Sequence, residues 1–175
     1  MEETHGPGWG HDVQAAPYTD PVQTAVAAPA DLPSLLDRTF GRDEITVTRH
    51  QVAAGLRAVG LGGDRLQGFV LAVNEVVTNV VLHAGGRGRI VVWLVAGSAW
   101  CTVTDSGPGI PEQYLRPPEM PAAFEVGGRG IWLAYQLCDE VRMATGPIGT
   151  TIGMRIALAP RDQGSGLGNG ASASN

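Results

Sequence analysis

Apolar residues recur along this chain in two rhythms. Between Asp64 and His83, Leu66, Val70, Val73, Val77 and Val80 fall at three- and four-residue spacing. That spacing lays one apolar stripe along a helix. Asp64 is the expected N-cap of this helix. Ile45 to Val59 predicts a second helix, ended by the region of Gly60 and Gly62. The other rhythm is β-rich. Ile90–Val95 and Trp100–Val103 are apolar runs separated by Ala96, Gly97 and Ser98, which predicts a hairpin. Ser34 to Phe40 predicts a short leading strand. Gly130 to Cys138 opens a further helix directly after a glycine cluster. Val141–Ala144 and Thr151–Leu158 predict closing strands joined through Gly146-Pro147-Ile148-Gly149-Thr150. Strands and helices in this mixed order imply an α+β fold, with helices on one face of a largely antiparallel sheet.

Outside these elements the composition shifts. Residues 1–33 are rich in Ala, Pro and Gly with little periodicity, and are expected to form a disordered arm. Residues 160–175 are expected to be a flexible Gly/Ser tail. The folded body is expected over residues 34–159. Within it, Gly107 to Gly128 is a long irregular stretch carrying Pro108, Pro111, Pro117, Pro118 and Pro121. Its length argues for a functional loop such as a mobile lid.

Charge narrows the function. The net charge is -5, with 12 basic and 17 acidic residues. That balance is a poor basis for direct nucleic-acid binding. All the basic residues are arginine. Without lysine there is no Walker A loop, no eukaryotic-type kinase lysine and no lysine Schiff base. Cys101 and Cys138 stand apart with no neighbouring His ladder, so a zinc site is not expected. The start lacks the pattern of a secretory signal, and no uninterrupted apolar run reaches membrane-spanning length. A cytoplasmic setting is the expectation.

Four patterns suggest chemistry. Glu75 and Asn79, in Asn74-Glu75-Val76-Val77-Thr78-Asn79, are four residues apart and share one helix face, with His83 a turn further on. A carboxylate there suits a base, and an amide oxygen suits a hard cation such as Mg²⁺. Asp105 closes a β run and leads into Ser106-Gly107-Pro108-Gly109. A carboxylate only accepts, so it pairs with an amine donor, and Gly107 and Gly109 let backbone approach a flat base. Gly128, Arg129 and Gly130 open a helix, where free N–H groups and a fixed cation favour phosphate. Gly149-Thr150-Thr151 precedes the last strand, with a hydroxyl near a ligand. Taken singly, these patterns also fit a solvated helix face, a strand-end turn, a hinge and a plain turn.

Their order is more specific than any one of them. Asn74 to Ala84 (NEVVTNVVLHA), Thr104 to Pro111 (TDSGPGIP), Gly127 to Val141 (GGRGIWLAYQLCDEV) and Gly149 to Ile156 (GTTIGMRI) resemble the N box and the three glycine boxes of the GHKL ATP-binding superfamily. More closely, they resemble anti-sigma-factor serine kinases of the RsbW and SpoIIAB type. The resemblance implies a two-layer α/β sandwich of Bergerat type holding ATP between the long helix and a mobile lid. It implies Glu75 as general base and Asn79 as Mg²⁺ ligand. Asp105 would bind the adenine amine beside Gly107 and Gly109. Gly128, Arg129 and Gly130 would lie at the phosphates, and Thr151 near the adenine. The implied function is an ATP-dependent serine/threonine-protein kinase acting as an anti-sigma factor, with a sigma factor and an anti-sigma antagonist as partners. The alternative is an inactive ATP-binding module that sequesters such a regulator. Homodimers are common in the resembled family. A histidine-kinase role does not fit, because the sequence around His50 lacks the acidic neighbour and following proline of a phospho-acceptor.

Overall fold

The computed structural model describes residues 29–110 and 129–158. The described residues form five strands and three α-helices in the order β1 (Ser34–Gly41), α1 (Ile45–Ala58), α2 (Gly63–His83), β2 (Arg87–Val95), β3 (Ser98–Asp105), α3 (Arg129–Leu137), β4 (Glu140–Gly146) and β5 (Gly149–Ala157), with a short 3-10 turn at Arg42–Glu44. The strands form one sheet in the order β1-β2-β3-β5-β4, and every neighbouring pair is antiparallel. This is the expected α+β sandwich. Residues 1–28, 111–128 and 159–175 lie outside the described residues; they include most of the expected arm (1–33) and of the expected loop (107–128), and all of the expected tail (160–175).

Local chemistry sets the turns. Val95 pairs with Ser98, leaving Ala96 and Gly97 as a two-residue hairpin loop. Both have positive φ, 47° and 72°. That backbone twist matches the twist of the flanking strands, and Gly97 adopts it without a Cβ penalty. The start of α2 departs from expectation. Its N-cap is Gly62 rather than Asp64, and Asp64 lies in the first helical turn. There it offers its charge to the positive end of the helix dipole instead of a capping bond.

Pleat alternation divides the sheet. Ile90, Val92, Ala99, Cys101, Val103, Ile152, Met154 and Ile156 are buried toward the helices. They meet Phe69, Val73, Val76, Val77 and Val80 of α2 and Val52 and Leu56 of α1 in one core. Each such aliphatic or aromatic side chain contributes roughly 1.5–3 kcal/mol on burial. By length and composition α2 is the one described helix able to cross a membrane. Its apolar stripe packs into this core instead. On the opposite sheet face Trp93 and Trp100 stack with ring centroids 6.2 Å apart, and Arg142 lies over the Trp100 ring at 5.0 Å.

Candidate nucleotide site

The site forms where the core-facing rows of β3 and β5 run out. Val103 and Ile152 are core residues, so two positions along their strands Asp105 and Thr150 face the same side. Register pairs them directly. Asp105 Oδ1 accepts the Gly107 N–H at 2.8 Å and the Thr150 N–H at 3.3 Å. The other carboxylate oxygen takes no partner among the described residues and is available as an acceptor.

Close backbone packing surrounds this carboxylate. A Cβ on Gly107 would come within 2.6 Å of Ala84 Cβ, at the end of α2. Gly109 has φ +88°, and a Cβ there would lie 2.6 Å from the Gly146 carbonyl oxygen. Gly149 has φ +146°, and its Cβ would fall 2.2 Å from the Asp105 carbonyl oxygen. The Ile110 N–H donates to Thr145 Oγ1 at 2.8 Å, and Thr145 Oγ1 lies 2.9 Å from Thr150 Oγ1. The strand end, the glycine turn and the β4–β5 hairpin are thereby tied together.

Thr151 does not join this corner. One residue along, it turns to the opposite sheet face, where its hydroxyl lies 3.1 Å from Thr104 Oγ1. Thr150 is the threonine at Asp105, only 4% exposed. Sequence reasoning chose Thr151 and missed Thr150. The signal was available: Thr150 stands two residues before core Ile152. Thr145 was missed as well, because only the β4–β5 pairing brings it in.

The second half of the site lies on α2. Glu75 and Asn79 are half-buried on one face, and neither side chain hydrogen-bonds to any described residue. The start of α3 closes on them. A Cβ on Gly130 would sit 2.9 Å from Asn79 Nδ2, 3.2 Å from Glu75 Cβ and 3.3 Å from Glu75 Oε2. Glycine is therefore what lets the helix start approach both polar groups. Arg129, the first residue of α3, is exposed and has no partner among the described residues. Gly128 lies outside the described residues. His83 is exposed at the end of α2.

No group of three or more His, Cys, Asp or Glu suited to a metal occurs among the described residues. A free carboxamide at Asn79 beside a glycine-lined helix start instead fits Mg²⁺. That ion takes few protein oxygens and completes its shell with phosphate and water. The cysteines are unsuited to nucleophilic work. Burial raises both thiol pKa values, that of Cys138 to about 12, with the nearby Asp139 charge adding to it.

An α/β sandwich with a helix-borne carboxylate–amide pair, a strand-end aspartate and glycine turns defines a nucleotide-binding domain of the GHKL class. The chain belongs to the histidine kinase-like ATPase domain family, whose model matches residues 42–156. Adenine-nucleotide binding goes with that membership. No curated protein sequence matches the chain. Solved structures similar to it include the histidine kinase domain of the Erythrobacter litoralis EL346 blue-light activated histidine kinase. It shares 20% identity over 77% of this chain and 72% of its own, at a TM-score of 0.47. The mycobacterial sensor histidine kinase MprB shares 20% over 70% and 97%, at 0.43. The catalytic domain of histidine kinase ThkA shares 14% over 70% and 96%, at 0.46.

Proposed function

We propose that this protein is an ATP-dependent serine/threonine-protein kinase acting in the cytoplasm as an anti-sigma factor. In this reading it transfers the γ-phosphate to a Ser or Thr of an anti-sigma antagonist and so controls release of a sigma factor. The observation that carries the enzymatic part is the apposition of Gly130 with Glu75 and Asn79. A module that only held a nucleotide would have less use for a carboxylate that takes no hydrogen bond from any described residue.

Each residue has a role in this proposal. Asp105 accepts from the adenine amine through its second oxygen, with Thr150 and Thr145 holding its strand ends. Gly107 and Gly109 keep the pocket floor thin. The free N–H groups of α3 and the Arg129 guanidinium offset charge on the phosphates. Asn79 is the protein ligand for Mg²⁺, which supplies charge neutralisation on the phosphate oxygens when bound. Glu75 takes the proton of the incoming hydroxyl.

The test has two stages. Calorimetry with ATP and Mg²⁺ should show one saturable site, and absence of binding would remove the reading entirely. Label transfer from γ-labelled ATP to a co-purified antagonist should then occur on Ser or Thr. Binding of nucleotide and partner with no transfer would leave a sequestering module.

A further inference from the structure

Apart from its first residue, α2 contains one glycine, Gly68. Glycine inside a helix is disfavoured relative to alanine, so its presence calls for a packing reason. Helix α3 supplies one. A Cβ on Gly68 would lie 3.2 Å from Leu137 Cδ2, with Leu137 Cβ and Cγ at 3.8 and 3.9 Å. Leu137 is the last residue of α3. The start of α3 makes the reciprocal contact: there Gly130 is the glycine, and the larger groups, Glu75 and Asn79, stand on α2. Gly68 and Glu75 are seven residues apart on α2, as are Gly130 and Leu137 on α3. Seven residues are close to two turns, so each pair shares one helix face. The helices therefore run antiparallel and meet at two points about 10 Å apart, with a glycine on one side of each.

The Leu137 end of α3 is tied down just beyond the helix. Asp139 Oδ2 accepts from Arg65 Nη2 of α2 at 3.0 Å and from the Ala157 N–H of β5 at 2.7 Å. The Asp139 N–H donates to the Arg155 carbonyl at 2.9 Å. With that end held, a push at Leu137 turns α3 about its anchor, and the displacement grows toward Gly130.

We propose that Gly68 is a positioning residue for the nucleotide site: by letting Leu137 settle onto α2, it fixes how closely the start of α3 approaches Asn79 and Glu75. Gly68 lies outside all four motifs that mark the site in the sequence. Its influence falls on the phosphates and Mg²⁺, which the α3 start and Asn79 serve, and not on the adenine corner at Asp105. This rests on the reading of the α3 start as the phosphate end of the cleft.

The experiment uses the full chain with Gly68→Ala, Leu137→Val and the double variant. Calorimetry reads ATP with Mg²⁺, ligand-observed NMR reads adenosine, which lacks the phosphates, and thermal unfolding reads the fold. Gly68→Ala should weaken ATP–Mg²⁺ binding by roughly three- to tenfold, because a small misplacement of the helix start spoils its contacts. Adenosine affinity should be unchanged, and the melting temperature unchanged or raised, since alanine is the better helix former. Leu137→Val removes the Cδ2 methyl that the new Cβ meets, so the double variant should return to within about twofold of the parent. Loss of both ligands together, a lowered melting temperature in Gly68→Ala, or no recovery in the double variant would make Gly68 a general packing residue and overturn the proposal. Unchanged ATP–Mg²⁺ affinity in Gly68→Ala overturns it as well, with the phosphate reading intact. If the parent binds ATP with Mg²⁺ no more tightly than adenosine, the phosphate reading itself falls and the proposal with it.

Discussion

The two halves of the cleft are built on opposite physical terms. At the Asp105 corner nearly everything is already bonded. Two backbone N–H groups hold one carboxylate oxygen, a threonine pair links the β4 and β5 strands, and Gly107, Gly109 and Gly149 permit contacts that no side chain would allow. On α2, Glu75 and Asn79 have no side-chain hydrogen bonds to described residues, and Gly130 packs against them. Recognition of a rigid flat base needs preorganisation, because each loose donor or acceptor loses discrimination. Proton transfer and metal binding need groups not already spent on internal bonds. In the proposed reading, the Asp105 corner would hold the base and the α2 face would act.

Substitutions can break this contrast. The largest expected effect is in transfer: Glu75→Gln keeps shape and should cut phosphate transfer by roughly 10²–10⁴-fold. Nucleotide affinity and melting temperature should hardly move, as read by calorimetry and thermal unfolding. A large loss of stability would show that Glu75 is structural.

At the other corner the effect should appear in stability. Gly109→Ala places a Cβ 2.6 Å from a backbone oxygen at φ +88°. It should destabilise the fold by about 1–3 kcal/mol, seen as a lowered denaturant midpoint. Gly130→Ala makes the useful contrast, since its nearest neighbour, Asn79 Nδ2 at 2.9 Å, is the far end of a side chain that can rotate, while Glu75 Cβ at 3.2 Å need give only a few tenths of an ångström. It should disturb Mg²⁺-dependent binding more than folding.

Asp105→Asn retains an oxygen for the Gly107 N–H but removes the charge. Adenine-nucleotide affinity should fall by the value of a charge-assisted hydrogen bond, about 1.5–3 kcal/mol. An unchanged dissociation constant would place the adenine elsewhere.

Smaller still is the contrast between neighbouring threonines. Thr150→Val should weaken both stability and nucleotide binding, by about 1 kcal/mol each, because it breaks a buried hydroxyl pair next to Asp105. Thr151→Val should leave binding unchanged, since its hydroxyl contact is with Thr104 on the far face. Equal effects would mean that pleat alternation does not decide which threonine serves the site.

The smallest effect lies away from the cleft. Hydrogen bonding to Arg142 first, and then to Arg155, holds the Glu140 carboxyl below its ordinary range. A lowered folded value means the contribution is present above the unfolded carboxylate range and is lost as pH falls through the folded value. Glu140→Gln should therefore flatten the acid limb of stability slightly while leaving the cleft unaltered. Urea titrations at a series of pH values would show it.

Much of the fold was legible along the chain, because it depends on local spacing. The 3.6-residue stripe from Leu66 to Val80 marks α2, and the apolar runs around Ala96-Gly97 mark the hairpin. The N-cap was misread because Asp64 is good capping chemistry, while the chain in fact turns into the helix through Gly62 and Gly63. Glu75, Asn79 and Asp105 were identifiable as polar residues set into apolar elements, where their presence costs energy.

What the sequence determined by itself is which groups are available: a carboxylate and an amide one turn apart, an aspartate ending a strand, glycine before a helix, and no lysine. Residue spacing suffices for that, because helix and strand periods place neighbours with no knowledge of the rest. Tertiary structure alone decided which of these groups meet. Gly130 reaches Glu75 and Asn79 across more than fifty residues of chain because α3 packs on α2. Asp105 selects Thr150 over Thr151 because the β3–β5 register points one inward and the other outward. A register slip of a single residue would reverse that choice, and only packing of the whole core face fixes the register.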